Sequence, residues 1–229
     1  MPQNEYRIEK KYVISLETSM FLKERFGHFM QPDKHAVGDS YRVRSLYFDT
    51  PNADVFLEKM DGEPDRCKYR LRYYNGDVSF VRLEKKEKRG ELTLKSQAQI
   101  SSQIAQAILL GDYKQIRNSS NPLCFEFYSE VISTMLRPSA VVDYLRYPFA
   151  YDIDNVRVTI DTDIRVGTPK AFFLQENPPF SVMGKQVAIL EIKTNDRLPI
   201  MLGKLLEYIP RQQQSCSKYA LGFSLLHNL

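Results

Sequence analysis

From Arg66 to Tyr74 the chain reads Arg-Cys-Lys-Tyr-Arg-Leu-Arg-Tyr-Tyr. Side chains of a β-strand point alternately to opposite faces. Lys68, Arg70 and Arg72 therefore share one face, and Tyr69, Leu71 and Tyr73 the other. The same period of two returns elsewhere. In Val78–Lys88, Arg82, Glu84 and Lys86 oppose Val81 and Leu83. In Glu91–Ser96, Thr93 and Lys95 oppose Leu92 and Leu94. Arg7, Glu9 and Lys11 share a face of a first strand, Tyr6–Ser15. Arg157, Thr159 and Asp161 oppose Val156, Val158 and Ile160, and Glu191 and Lys193 oppose Leu190 and Ile192. A solvated sheet face normally mixes small polar residues with charges. Here the polar face is almost wholly charged on six strands. A flat open face of this kind repels itself. Closed inward and unpaired it is very costly, unless a highly charged ligand, water and a metal share the interior.

Further strands are expected at Arg42–Asp49, Ala140–Tyr147, Val156–Val166 and Val187–Thr194. Asn75-Gly76 and Arg89-Gly90 are hairpin signals. Helices are expected from a Ser15 cap through about Phe29, then near Ala53–Lys59, Ser101–Leu110, Pro122–Leu136, Pro199–Tyr208 and Ser217–Leu226. Strands joined by hairpins, with helices grouped between the blocks, predict an α+β fold. The expected architecture is an antiparallel eight-stranded β-tunnel with flanking helices, in one domain spanning 1–229, because no linker interrupts the pattern.

The distribution of charge matters more than its total. Twelve cations fall on the candidate faces or beside them: Arg7, Lys11, Lys68, Arg70, Arg72, Arg82, Lys86, Lys95, Arg146, Arg157, Lys193 and Lys218. Four carboxylates join them, Glu9, Glu84, Asp161 and Glu191. That surplus of eight positive charges sits in a chain of net charge +4, so the remainder carries a net −4. A nucleic-acid binder would carry its excess outside, and no nucleic-acid partner is expected. Removing Arg70 or Arg72 is expected to weaken binding of a polyanionic ligand and to leave stability little changed or raised. Carboxylates among the cations suit Mg²⁺ or Mn²⁺ shared with phosphate oxygens. Glu191, set in an otherwise apolar strand, is the first metal candidate, followed by Glu9, Glu84 and Asp161.

Several classes are excluded. There is no GxxxxGK[ST] segment, no GxGxxG after a strand and no kinase signature. His28, His35 and His227 are scattered, as are Cys67, Cys124 and Cys216, so neither a zinc spacing nor a disulfide framework is present. No run approaches the roughly 20 apolar residues of a membrane span. The N-terminus MPQNEYRIEKKY has no apolar signal core, and a reducing cytoplasm is expected. Phosphoryl transfer fits what remains, because it rests on positioning and charge neutralisation.

Ordered motifs cover the chain from about Tyr6 to Leu226. They are Ile8-Glu9-Lys10-Lys11-Tyr12, Ser45-Leu46-Tyr47-Phe48-Asp49-Thr50, Tyr69-Arg70-Leu71-Arg72-Tyr73-Tyr74, Leu83-Glu84-Lys85-Lys86 and Gly90-Glu91-Leu92-Thr93-Leu94-Lys95. Leu136-Arg137-Pro138, Tyr144-Leu145-Arg146, Arg157-Val158-Thr159-Ile160-Asp161, Leu190-Glu191-Ile192-Lys193 and Ser217-Lys218-Tyr219 follow. Together they resemble the VTC domain, the polyphosphate-polymerase domain of the CYTH, or triphosphate tunnel, superfamily. The resemblance implies a tunnel that binds ATP and inorganic polyphosphate with Mn²⁺ or Mg²⁺. The implied reaction moves the ATP γ-phosphate onto a growing polyphosphate chain and releases ADP. In the catalytic role it places Lys11, Arg70, Arg72, Lys86, Lys95 and Lys218. Substrate binding falls to Arg7, Lys68, Arg82, Arg146, Arg157, Lys193 and Ser217, with Ser217 assisting Lys218, and Glu191 binds the metal. The wider superfamily often carries ExExK on the first strand. Arg7 replaces its first carboxylate here, which counts against triphosphatase chemistry. A triphosphate hydrolase, a nucleotide cyclase and a non-catalytic polyphosphate or nucleotide sensor are the alternatives.

Overall fold

The computed structural model describes residues 8–32, 38–90, 92–151, 155–169, 173–176, 178, 181–182, 187–195, 198–207, 209 and 217–228. In chain order the elements are β1 (Ile8–Ser15), α1 (Leu16–Gly27), β2 (Gln31–Pro32), β3 (Tyr41–Asp49), α2 (Asp54–Met60), β4 (Arg66–Tyr74), β5 (Val81–Arg89), β6 (Leu92–Ile100), α3 (Ser102–Leu109), α4 (Lys114–Arg117) and α5 (Pro122–Thr134). Then come β7 (Arg137–Tyr151), β8 (Val156–Gly167), β9 (Ser181–Val182), β10 (Val187–Thr194), α6 (Ile200–Leu206) and α7 (Lys218–His227). Eight strands follow the order β1-β10-β8-β7-β3-β4-β5-β6, with the two-residue strands β2 and β9 added on β7 and β8. The architecture is thus the expected α+β fold, an eight-stranded antiparallel sheet with flanking helices.

The described chain forms two compact units, both discontinuous in sequence. One draws on Met1–Arg42, Tyr144–Ile164 and Val182–Cys216, the other on Val43–Asp143, Arg165–Ser181 and Ser217–Leu229. In the first unit, Ile14 of β1, Val158 and Ile160 of β8, and Leu190 and Ile192 of β10 are buried under Leu22 and Phe26 of α1. In the second, Leu46, Phe48, Tyr69, Leu71 and Leu83 pack against Ile108 of α3 and Phe127 of α5. These are the apolar faces that strand alternation predicts, so the opposite faces carry the charges.

Helix boundaries follow their caps. Ser15 Oγ accepts from Thr18 N at 3.0 Å and starts α1. Asn121 Oδ1 accepts from Leu123 N at 3.0 Å, with Pro122 opening α5. Leu123, Cys124, Phe127 and Val131 recur at helical spacing on the buried side of α5. Asp49 ends β3 and accepts from Val55 N at 2.9 Å and Phe56 N at 3.1 Å, which caps α2.

Several elements differ from the sequence expectation. β6 runs on through Gln97 and Gln99 to Ile100, and β7 extends from Arg137 to Tyr151 through Pro138 and Pro148. Both prolines would be read from sequence as strand breakers. β2, α4 and β9 were not expected at all.

Candidate functional site

In the second unit, β3, β4, β5 and β6 align their charged faces in rows. Lys68 lies directly opposite Lys86, and Lys86 opposite Lys95. Arg72 lies opposite Arg82. Between these rows Arg70 lies opposite Glu84, with Tyr47 on its other side. Like charges directly across a ladder destabilise it, and Glu84 is the carboxylate within these rows. Its side chain is 1% exposed. Its Oε2 is 2.6 Å from both Nε and Nη2 of Arg70 and 3.8 Å from Arg72, and Oε1 is 2.7 Å from Lys95 Nζ. Burial would raise the pKa of this carboxyl. Arg70, Arg72 and Lys95 outweigh it and hold Glu84 well below the usual carboxylate range.

Tyr47 and Ser45 complete the face. Arg72 Nε donates to Ser45 Oγ at 3.0 Å, and Arg70 Nη1 donates to Tyr47 Oη at 3.3 Å. The Tyr47 ring lies 5.3 Å from that of Tyr219 in α7. Burial alone would raise the Tyr47 pKa, but Arg70, Arg72 and Lys218 pull it below its ordinary value. Tyr219 Oη donates to Asp49 Oδ2, and Lys68 Nζ stands 5.7 Å from the Tyr219 ring centre. Lys218 is buried at the first turn of α7. Ser217 is the cap of that helix and accepts from Ala220 N at 3.4 Å. Arg82 lies over Phe80 at 4.8 Å and Tyr74 at 5.5 Å.

In the first unit, β1, β10 and β8 form a second charged face. Glu9, Lys193 and Arg157 stand in one cross-strand row, and Lys11, Glu191 and Thr159 in the next. Lys11 Nζ is 2.5 Å from Glu9 Oε1. Lys193 Nζ is 2.8 Å from Glu191 Oε1, and Arg146 Nη2 is 4.0 Å from Glu191 Oε2. Arg146 is clamped by buried Asp161, with Nε and Nη2 donating to its two oxygens at 2.7 and 2.8 Å. A cavity of about 140 Å³ opens on this face, lined by Tyr41, Arg146, Pro148, Phe149, Arg157, Thr159, Glu191 and Lys193.

The expected site residues thus fall into two sets. Lys68, Arg70, Arg72, Arg82, Glu84, Lys86, Lys95, Ser217 and Lys218 belong to the second unit. Glu9, Lys11, Arg146, Arg157, Asp161, Glu191 and Lys193 belong to the first. Arg7 lies outside the described residues. Ser45 and Tyr47 were missed, although strand alternation in β3 puts them on one side with Asp49. Their neutral side chains simply carry no charge signal. Among the described residues no three His, Cys, Asp or Glu side chains cluster as a ready-made metal cage, and no helix is long and apolar enough to cross a membrane.

The model of the VTC domain family matches residues 6–227. No curated protein matches the sequence. Among solved structures, a candidate adenylate cyclase from Bacillus halodurans superimposes with a TM-score of 0.59 at 16% identity, covering 93% of this chain and 94% of that one. A candidate adenylyl cyclase from Hippeastrum with a dominant triphosphatase activity gives a TM-score of 0.56 at 15% identity, covering 95% of each chain. At these identities the likeness is one of fold, and it is the triphosphate tunnel fold that the motif order implies.

Proposed function

Because the chain belongs to the VTC domain family, we propose that it is a polyphosphate-polymerase-type phosphotransferase acting in the cytoplasm as a single domain. It binds ATP and inorganic polyphosphate and transfers the ATP γ-phosphoryl group to the end of a growing chain. One observation carries this reading. Lys68, Lys86 and Lys95 occupy a single cross-strand row, Arg72 faces Arg82 in another, and Glu84 is the buried counter-charge between them. A polyanion threaded over these rows adds negative charge to that of Glu84.

In phosphoryl transfer, charge spreads over the equatorial oxygens of the moving group, and catalysis is mainly positioning and electrostatics. Arg70 and Arg72 suit that role because Glu84, Ser45 and Tyr47 fix their guanidiniums before a substrate arrives. Lys86 and Lys95 would hold phosphates further along the same face. Lys11, Lys193 and Arg157 present further cations in the first unit, and Lys218 adds one beside Tyr47.

The donor set of the first unit fits a divalent ion shared with substrate. Mg²⁺ or Mn²⁺ is commonly held by one or two carboxylates plus phosphate oxygens. Glu191 lines the cavity, with Oε1 2.8 Å from Lys193 and Oε2 4.0 Å from Arg146, and is the residue that would hold the ion. Asp161 has both oxygens on Arg146, and Glu84 is surrounded by three cations, so neither fits as well. When bound, the ion would supply positive charge that offsets the negative charge developing in the transfer.

The test is incubation with γ-labelled ATP and Mn²⁺, with the products resolved on one gel. Long labelled polymer is the expected outcome. Free phosphate or cyclic nucleotide would instead make the chain a triphosphate hydrolase or cyclase, and unchanged ATP would leave a sensor.

A further inference from the structure

Thr159 stands in β8 directly opposite Glu191 and lines the 140 Å³ cavity. Its hydroxyl oxygen is buried and has no hydrogen-bond partner among the described residues. A buried hydroxyl without a partner is costly and rare in native structures. The carboxylate across the ladder does not take its proton. Two residues away on the same strand face, Arg157 lines the same cavity and makes no ion pair among the described residues. Lys193 lies opposite Arg157 with its ammonium 2.8 Å from Glu191, and Tyr41, Arg146 and Glu191 line the same space. Arg146, by contrast, is held by Asp161.

The size of the cavity restricts its occupant. Pockets for nucleotide-sized ligands run to about 300–1,000 Å³, whereas one water claims about 30 Å³. The space is larger than one water and smaller than a nucleotide-sized pocket. Its charged lining selects a small oxyanion. Phosphate oxygens accept hydrogen bonds, which matches a lining in which Arg146, Arg157, Lys193 and the Thr159 hydroxyl outnumber the one carboxylate, Glu191.

We propose that Thr159 is a phosphate-binding residue of a one-phosphoryl subsite, its hydroxyl donating to an oxygen of a phosphoryl group held by Arg157 and Lys193. This rests on the reading of the chain as a polyphosphate-binding protein and adds a residue to it. The occupant is either free orthophosphate or the terminal phosphoryl unit of a chain.

The experiment is calorimetric titration of the full chain with tripolyphosphate at fixed ionic strength in the presence of a chelator. Wild type is compared with Thr159→Val and Thr159→Ser. Thr159→Val keeps the shape and removes the hydroxyl, and Thr159→Ser keeps the hydroxyl. The expected result is binding about 5- to 10-fold weaker in Thr159→Val and within about twofold of wild type in Thr159→Ser. The ligand-free melting temperature of Thr159→Val should be equal or higher, because an unpartnered hydroxyl has been removed. Equal binding by wild type and Thr159→Val overturns the inference and leaves the proposed function standing. Equal weakening in both variants also overturns it, because the position then acts through packing. No binding by wild type overturns both. Orthophosphate added as a competitor separates the sources: displacement of tripolyphosphate in wild type assigns free phosphate, and its absence assigns a chain terminus.

Discussion

Glu84 is a buried carboxylate with Arg70, Arg72 and Lys95 around it, and several consequences turn on that arrangement. Removing a charge from a buried pair strands its partners and costs about 3–5 kcal/mol. Lys95 is 46% exposed and water screens part of the loss, so Glu84→Gln should cost about 2–4 kcal/mol in thermal or urea unfolding. The pH dependence has a definite sign. The folded pKa of Glu84 lies below its ordinary 4.5. Its stabilisation is therefore fully present above that value and is lost as the pH falls towards the folded pKa. The stability gap between wild type and Glu84→Gln should be constant at neutral pH and close only in acid. Arg72→Ala changes character for the same reason. From sequence alone it removes a repelling cation. In the structure the Arg72 side chain is 8% exposed and serves Ser45 and Glu84. Its loss should lower stability by about 1–3 kcal/mol and weaken tripolyphosphate binding by about 1.5–3 kcal/mol, read by melting and calorimetry. Glu191→Gln should keep tripolyphosphate binding but lose nearly all turnover and its Mn²⁺ dependence. Unchanged metal-dependent turnover would remove Glu191 from the mechanism.

At the scale of elements, α5 holds the outer face of the β4–β5 pair. Phe127 is fully buried, 4.9 Å from the Phe48 ring and 5.3 Å from Tyr69. Phe127→Ala should cost about 3–5 kcal/mol, measured by urea unfolding, with the loss unaffected by ligand. The two faces of β4 were legible from sequence, because Lys68, Arg70 and Arg72 alternate without interruption with large apolar side chains. What those charges face across the ladder was not legible. Asp77 N does donate to Tyr74 O at 2.9 Å, so the turn signalled by Asn75-Gly76 forms. Pairing of β4 with β5, however, resumes only at Arg82, opposite Arg72, which sets the register. A tight two-residue hairpin would have put Tyr74 opposite Asp77 and given Arg70 a different neighbour. The Glu84 cluster thus depends on a connection whose length sequence alone does not fix. β7 was underestimated for a related reason. Pro138 and Pro148 forbid donation at two positions but do not prevent the strand from running past them.

At the scale of the whole molecule, the units interleave along the chain, and segments distant in sequence complete each one. In the second unit Arg44 Nε donates to Asp143 Oδ2 at 2.9 Å, and Nη1 donates to the Tyr73 hydroxyl at 2.9 Å and to the Gln175 carbonyl. Tyr73 in turn donates to the Phe173 carbonyl, and Tyr219 to Asp49. Residues 43–143 expressed alone lack Phe173, Gln175 and Tyr219. They should give a molten state with secondary structure but no near-ultraviolet dichroism, and a cooperative melt for that fragment would refute this. Saturating tripolyphosphate should stabilise the full chain by about 2.7 kcal/mol at one hundred times its dissociation constant, and added salt should diminish the effect. The β4–β5–β6 meander is assembled from the consecutive residues 66–100. Contacts so close in sequence form early, before distant segments can close. The lysine and arginine rows therefore come together while the chain is still mostly unfolded, and their mutual repulsion falls on the rate of reaching the native state. A polyanion in the refolding buffer should accelerate that step at constant ionic strength, and stopped-flow refolding with and without tripolyphosphate measures it: the ligand acts on the chain before there is a finished site to receive it.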